Sequence, residues 1–323
     1  MERITHFFDN ETDWHNARRA NICSTDISVL LGCGQRTAFE LFHEKKGTSF
    51  DFHVTEHMER GKHFQAPIAE WMAKKFGLVI RPMNEFMSIP ELRMAASFDY
   101  EIIGTAEDSP YREQFEKHGN GILEIKNVSY WNFKETWSFS EAPFHIEAQL
   151  QHQLLVSGRW WGLIAANVGG SEDVTYLRHY KEVIAAALIQ KTKTFWVDFD
   201  AGKEPEIDYL KDMGILQQLH IDSGGECIAG GPEIDELVRI FEAQRQAITQ
   251  AQIMKNETQI KILSHIGDAR AVLGDFYKIS CGPIKETPAK VLTITPEMVG
   301  QTITVSSARK ARRNFLLTLK GDE

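Results

Sequence analysis

The chain has 323 residues, of which 25% are charged and 42% hydrophobic, and its formal net charge is −9. This composition is typical of a globular protein and excludes a disordered tail, a collagen-like rod and a disulfide-rich scaffold. The acidic total is unlike that of a histone-type DNA coat. It does not exclude nucleic-acid binding, which needs only a local basic surface.

Several absences in the sequence predict a cytoplasmic protein. No run approaches 18 consecutive apolar residues, and the N-terminal segment is acidic and lacks the apolar core of a secretion signal. No C-x-x-C pair occurs, which disfavours a zinc ribbon or an iron–sulfur cluster and favours reduced thiols. The cysteines are Cys23, Cys33, Cys227 and Cys281.

The first third of the chain is predicted to be mainly helical and then to become strand-like. Two helices are expected within residues 12–46, and a longer one over residues 56–76, where Gly77 ends it. Short segments bounded by Pro or Gly predict strands between residues 78 and 103. The polar, turn-rich residues 105–121 are expected to be a solvated loop.

The middle of the chain alternates strands and helices. We expect a strand at 121–130, an amphipathic helix at 144–158, an apolar strand at 160–170 and a helix at 179–197. This order predicts an α/β or α+β core, with a mixed central sheet flanked by helices.

The C-terminal part looks different. Glycines and prolines make 203–233 a predicted linker, and an apolar stripe predicts a long helix from about Ile234 to Val272 before a β-rich end. The predicted organisation is therefore a core at 1–202, this linker, and a helical and β-rich extension at 234–323.

The chemistry is predicted around one strand. Side chains two apart on a strand share a face, so Glu124 and Lys126 should point one way while Leu123 and Ile125 enter the core. Asp99 ends an earlier strand that a hairpin could pair beside Glu124. Two carboxylates can hold a divalent cation, and a lysine beside them can stabilise the charge of a phosphate under attack. A solvated edge or a cross-strand ion pair is the simpler interpretation of Glu-x-Lys alone.

The flanking motifs favour the chemical interpretation. Over residues 12–200 the sequence resembles the lambda-exonuclease or YqaJ-type viral recombinase family of PD-(D/E)xK nucleases, whose core is restriction-endonuclease-like. The matching motifs, in order, are W-x3-R-R-x-x-I-x-x-T-D from Trp14, Arg60-Gly61, S-F-D at Asp99, L-E-I-K at Glu124 and Lys126, A-Q-L-Q-H-Q-L-x-x-S-G with Gln149, Gln151 and Gln153, and W-x-x-L-x-x-x-x-G-G.

The resemblance implies roles for individual residues. Asp99 and Glu124 would bind Mg²⁺, with Mn²⁺ as a substitute and the main-chain carbonyl after Glu124 as a further ligand. Lys126 would be the catalytic lysine, and Gln149 would face the site from its helix. Arg18 and Thr25 match positions that hold the 5′-phosphate end; a plain helix N-cap is the alternative for Thr25.

One position departs from the family pattern. Where the family usually has a glutamate, four residues after the helix-opening glycine, this chain has Gln65, and Glu70 follows five residues later. Five residues turn a helix by about 500°, so both side chains cannot easily face one metal. Glu70 is favoured because a carboxylate binds a divalent cation better than an amide does, and Gln65 is the alternative.

The resemblance implies a phage-type exonuclease that degrades linear double-stranded DNA from 5′ to 3′. It further implies DNA ends as substrate, a single-strand annealing protein as partner, a homo-oligomer such as a ring trimer, and action in a bacterial or phage-infected host cell. Two other functions remain open: a RecB-like repair nuclease, and a catalytically impaired DNA-end-binding or scaffold protein, which Gln65 suggests.

Overall fold

The computed structural model describes residues 1–48, 55–138, 140–221, 225, 227–267, 271–273 and 278–280. The chain divides into two compact units, of which the first contains Met1–Ile221 and the second begins at Asp222. The predicted boundaries after residues 202 and 233 stay predictions.

Ten α-helices and eleven strands occur among the described residues. The helices are α1 (Glu11–Arg19), α2 (Ile27–Leu30), α3 (Ala38–Lys46), α4 (Glu56–Phe76), α5 (Arg112–His118), α6 (Tyr130–Thr136), α7 (Phe144–Ser157), α8 (Glu182–Asp200), α9 (Met213–Leu219) and α10 (Pro232–Ile266). The strands are β1 (Ile4–His6), β2 (Ile22–Cys23), β3 (Leu78–Pro82), β4 (Phe86–Ile89), β5 (Met94–Ser97), β6 (Tyr100–Thr105), β7 (Gly121–Val128), β8 (Trp161–Val168), β9 (Glu172–His179), β10 (Ala271–Leu273) and β11 (Lys278–Ser280).

The first unit contains two mixed sheets. The larger has the strand order β3-β6-β7-β8-β9, in which only β7 and β8 run parallel. The smaller has the order β1-β4-β5-β2, in which only β2 and β5 run parallel. The predicted mixed α/β core flanked by helices is therefore confirmed.

Local signals in the sequence set the ends of the helices that border the large sheet. The Thr55 hydroxyl accepts a hydrogen bond from the Met58 amide at the start of α4, and Gly77 ends the helix in the left-handed conformation with φ 61°. Helix α7 ends in the same way at Gly158, with φ 73°. A side chain at either glycine would strain the backbone, so each marks a helix end.

The strand period distributes the core over both faces of the large sheet. Leu123 and Ile125 of β7 pack with Met72 of α4 in one hydrophobic cluster. Ile122 packs with Leu150 of α7 in another. Because alternate residues share a face, Glu124 and Lys126 lie on the α7 side together with Ile122.

Some sequence predictions were wrong in detail. Within 105–121, predicted to be a loop, the structure has α5, because Phe115 packs half-buried against the core and an Arg112–Glu116 ion pair spans one helical turn. The long helix ends at Ile266, before Val272, which lies in the β10–β11 hairpin. Helix α9 lies inside the predicted linker. The rest of the predicted β-rich end, from residue 281, lies outside the described residues.

None of the helices in the described part of the chain combines the length and apolarity that crossing a bilayer requires.

Candidate active site

The pairing of β6 with β7 brings the two predicted acids together. Tyr100 pairs with Leu123 in an antiparallel register, so Asp99, one residue earlier, faces the level of Glu124. The Asp99 carboxylate accepts a hydrogen bond from the Ile125 amide at 2.8 Å. Asp99 thus lies beside Glu124 as the predicted pairing requires, but it precedes β6 instead of ending a strand.

Both carboxylate oxygens of Glu124 accept hydrogen bonds from side chains on the same face of the sheet. Its Oε1 accepts hydrogen bonds from Lys126 Nζ at 2.5 Å and from Gln149 Nε2 at 2.6 Å. Its Oε2 accepts one from Gln153 Nε2 at 2.8 Å. Only 2% of Glu124 is exposed, so these bonds are made away from bulk water, where an unpaired carboxylate would be costly.

Helix α7 supplies the two glutamine side chains because residues one helical turn apart lie on the same side of a helix. Gln149 faces the site as predicted, and Gln153, one helical turn later, also faces Glu124. Gln151 faces the other way and binds the carbonyl of His179 and the amide of Lys181.

The charges of the cluster perturb each other. Burial and the negative charge of Glu124 raise the pKa of Asp99 to about 7. Burial would lower the pKa of Lys126, but the charges of Glu124 and Asp99 outweigh it and raise that pKa. The buried Glu124 carboxylate and the half-buried Asp99 carboxylate thus lie near a single ammonium group, which contacts Glu124, and this leaves negative charge that a cation could neutralise.

Helix α4 presents Gln65, and not Glu70, to the acids. The Gln65 side chain lies close enough to Asp99 to lower the pKa of that carboxyl. Glu70 is exposed, and its charge acts on Tyr100. Gln65, the alternative to Glu70, is therefore the residue of α4 whose side chain acts on Asp99, because the five-residue step places Glu70 on a different side of the helix, and which of the two binds a metal stays a prediction.

The predicted phosphate-binding residues lie together at the first helix. The Arg18 guanidinium donates a hydrogen bond to the Thr25 hydroxyl at 3.4 Å and lies 4.8 Å from the centre of the Trp14 ring. Thr25 is exposed, and the N-cap position of α2 belongs to Asp26, so the plain N-cap interpretation of Thr25 is wrong. Ser24 next to it bonds to His152 of α7 at 3.2 Å.

A comparison with protein-family models shows which domain family this part of the chain is similar to. The model of the YqaJ-like viral recombinase domain matches residues 13–160, which include every site residue described above. We call residues 13–160 the YqaJ-like domain after this similarity.

Solved structures and curated sequences complete the comparison. An alkaline exonuclease from Laribacter hongkongensis is 16% identical, with a TM-score of 0.47, and the match covers 64% of this chain and 98% of that one. A phage-related exonuclease from Haemophilus somnus is 8% identical, with a TM-score of 0.41, and covers 58% and 97%. No curated protein matches the chain.

A buried ionic network in the YqaJ-like domain was not anticipated from the sequence. Asp26, which is fully buried, accepts hydrogen bonds from Lys45 Nζ and Arg36 Nη2, both at 2.6 Å, and from the Cys23 amide at 2.9 Å. Lys45 also donates to the carbonyl of Arg18 at 2.9 Å. The sequence signal for this network was Asp26 itself, the last residue of the first motif. Locally, this residue indicated only the start of a helix.

The network holds a strongly acidic carboxyl. Burial would raise the pKa of Asp26, but the charges of Lys45, Arg18 and Arg36 outweigh it and keep the pKa well below its usual range. Asp26 is therefore a fixed negative charge that orders the turn bearing Thr25.

The donors of the YqaJ-like domain fit a divalent cation bound through oxygen. Asp99 and Glu124 provide carboxylates, and Gln65 provides an amide oxygen beside them. No group of three His, Cys, Asp or Glu side chains suited to a metal occurs among the described residues. Two carboxylates are enough for Mg²⁺, which commonly keeps waters and takes its remaining ligands from substrate phosphates.

Proposed function

We propose that the chain is a metal-dependent deoxyribonuclease that digests linear double-stranded DNA from 5′ to 3′ and leaves 3′ single strands. The observation that carries this proposal is the contact of Lys126 and Gln149 with Glu124, at the level where Asp99 adjoins β7. Two acids and a cation on one face are the parts that phosphodiester hydrolysis needs.

Each side chain has a defined task. Asp99 and Glu124, with Gln65, would hold Mg²⁺ or Mn²⁺. A bound divalent ion would supply Lewis-acid charge neutralisation and a more acidic water. Lys126 places a positive charge where the attacked phosphate becomes more negative, and Gln149, which bonds to both Lys126 and Glu124, keeps that ammonium group in place.

Recognition of the 5′-phosphate would set the direction of digestion. Arg18 and Thr25 offer a guanidinium and a hydroxyl to a terminal phosphate, a charge-assisted pair of donors. We extend the proposal to a homo-oligomer, such as a ring trimer, that encloses DNA and passes the 3′ strand to a single-strand annealing protein.

Digestion of a linear duplex tests this function. Wild type should release nucleotides with Mg²⁺ or Mn²⁺ and stop with a chelator. Lys126→Ala should lose about 10²–10³-fold in rate, while the exposed Lys193→Ala on α8 should keep the wild-type rate. Duplexes labelled at the 5′ or the 3′ end give the direction.

Separate outcomes decide separate parts. Equal rates for Lys126→Ala and wild type would refute the catalytic assignment. Equal digestion of 5′-phosphate and 5′-hydroxyl ends would refute the role of Arg18 and Thr25.

A catalytically impaired DNA-end-binding or scaffold protein is the second candidate. The observation that favours it is Gln65 beside Asp99, where the family usually has an acid. It predicts tight binding of duplex ends with no digestion in any divalent metal. A Gln65→Glu variant that digests DNA where wild type does not would support it.

A further inference from the structure

The aromatic rings at the start of helix α6 are exposed, while those of Phe133 and of Trp137, just after the helix, are buried. Phe133 and Trp137 are buried, with ring centres 6.0 Å apart. Tyr130 and Trp131 are 44% and 73% exposed, with ring centres 6.0 Å apart in an edge-to-face arrangement. Large aromatic rings kept in water beside a rigid anchor are typical of a binding surface.

These rings lie close in sequence to residues of the candidate active site. Tyr130 begins α6 only four residues after Lys126 on β7. A third exposed ring, Phe144, is 63% exposed and begins α7, five residues before Gln149. We call the two adjoining rings, Tyr130 and Trp131, the aromatic ledge.

The residue after Phe144 shows that this end of α7 is near the catalytic lysine. His145 lies one turn before Gln149, so the two share a face of the helix. Burial and the nearby positive charge of Lys126 lower the pKa of His145.

Three positions that bear on DNA binding follow one another along the axis of helix α7. His145 is at its beginning, Gln149 contacts Glu124 in its middle, and His152 contacts Ser24, next to Thr25, towards its end. At 1.5 Å per residue, His145 and His152 are about 10 Å apart along the axis. A strand with its 5′ end near Thr25 and a phosphate near Gln149 would continue towards the aromatic ledge.

The charges beside the ledge suit a nucleic acid. Lys134 Nζ lies 5.0 Å from the centre of the Tyr130 ring, which places a cation where a phosphate could follow a stacked base. Glu135 follows Trp131 by one turn and disfavours a phosphate there. The Trp131 ring is therefore better suited to a base than to the backbone.

We propose that the aromatic ledge is a base-stacking subsite for a nucleotide of the bound DNA beyond the phosphate that is cut. This inference rests on the nuclease function proposed above and adds a substrate contact to it. Stacking on an aromatic ring accepts every base, because each base has a π face, so the subsite suits an enzyme that digests any sequence.

DNA binding by matched tryptophan variants tests the ledge. Affinity for a 5′-phosphorylated fluorescent duplex is measured by anisotropy in Ca²⁺, so that binding is read without turnover. Loss of one stacked base corresponds to about 5- to 150-fold in affinity. We expect Trp131→Ala to bind about tenfold more weakly and Trp131→Phe to stay within about threefold of wild type, because a phenyl ring still stacks.

Trp160→Ala is the control. Trp160 is 53% exposed, but it precedes β8 and lies six residues before Ala166, the partner of Lys126. This separation is about 20 Å along the strand, so the DNA affinity of Trp160→Ala should equal that of wild type.

An abasic nucleotide, moved through the first four positions of the 5′-ended strand, identifies the stacked base. At one position it should weaken wild type about tenfold and should not weaken Trp131→Ala further. Additive losses at every position would overturn the proposal.

The remaining outcomes separate the two proposals. Digestion and binding by Trp131→Ala at wild-type levels would refute the ledge and leave the nuclease intact. Failure of wild type to bind or digest DNA would refute the nuclease function and the ledge with it. Unchanged DNA affinity in Trp131→Ala, together with a smaller mass in light scattering, would show that the ledge is a protein interface and would also overturn the proposal.

Discussion

Replacing Lys45 by methionine tests whether the buried ionic network holds the 5′-phosphate turn. The side chains of Lys45 and Asp26 are both fully buried, and the substitution keeps the apolar stem while removing the ammonium group. Asp26 would keep its bonds to Arg36 and to the Cys23 amide, while the carbonyl of Arg18 would lose a donor.

The cost can be worked out from these contacts. Breaking a buried ion pair by removing one partner costs about 3–5 kcal/mol. Because Arg36 still neutralises part of the Asp26 charge, we expect the lower end, about 3 kcal/mol of unfolding free energy. With a urea slope of about 3 kcal/mol/M, the unfolding midpoint should fall by about 1 M.

Urea unfolding of matched variants checks this value. Lys46→Met is the control, because Lys46 is half exposed and lies 3.6 Å from Glu204, an exposed pair worth at most about 1 kcal/mol. The Asp26→Asn/Lys45→Met double variant should cost less than the sum of the single variants, because neither buried charge remains unpaired.

The same substitution should also change how the protein recognises the 5′ end of DNA. Under conditions where Lys45→Met is folded, it should discriminate less between 5′-phosphate and 5′-hydroxyl ends, because Arg18 and Thr25 lose their support. A midpoint for Lys45→Met equal to that of Lys46→Met would refute the reasoning.

Other variants probe the site and the core. Gln153→Leu leaves one oxygen of Glu124 without a donor and should weaken Mn²⁺ binding about 10-fold or more in calorimetry; unchanged binding would exclude a role in orienting that carboxylate. Burial lowers the pKa of His152 to about 4, so the unfolded state binds more protons between pH 4 and 6.5. Stability should rise with pH across that window by about 3 kcal/mol and be flatter in His152→Asn, as urea unfolding would show. In Gly121→Ala the new Cβ would lie 2.6 Å from the Trp161 ring, and the free energy of unfolding should fall by about 1–3 kcal/mol; a stability equal to that of wild type would mean that the ring can move.

Local periods in the sequence were enough to predict much of the site. A period of two on β7 places Glu124 and Lys126 on one face, and one helical turn places Gln149 and Gln153 on one side of α7. These relations depend only on backbone geometry, so they hold wherever the element packs.

Other features needed the tertiary structure because they join residues far apart in the chain. Whether Gln65 or Glu70 meets Asp99 depends on how α4 rotates against β6 and β7, which no local signal specifies. Asp26 reads locally as a helix start, and only the packing of α3 brings Lys45 to it.

The sequence by itself therefore determined which residues share a face of one strand or one helix, since backbone period is a local property. Only the tertiary structure decided which of those faces meet, and so which acid stays buried, which amide reaches Asp99 and which aromatic rings remain in water. The physical reason is that burial and charge pairing are set by neighbours from other elements, whose approach depends on the packing of the whole core.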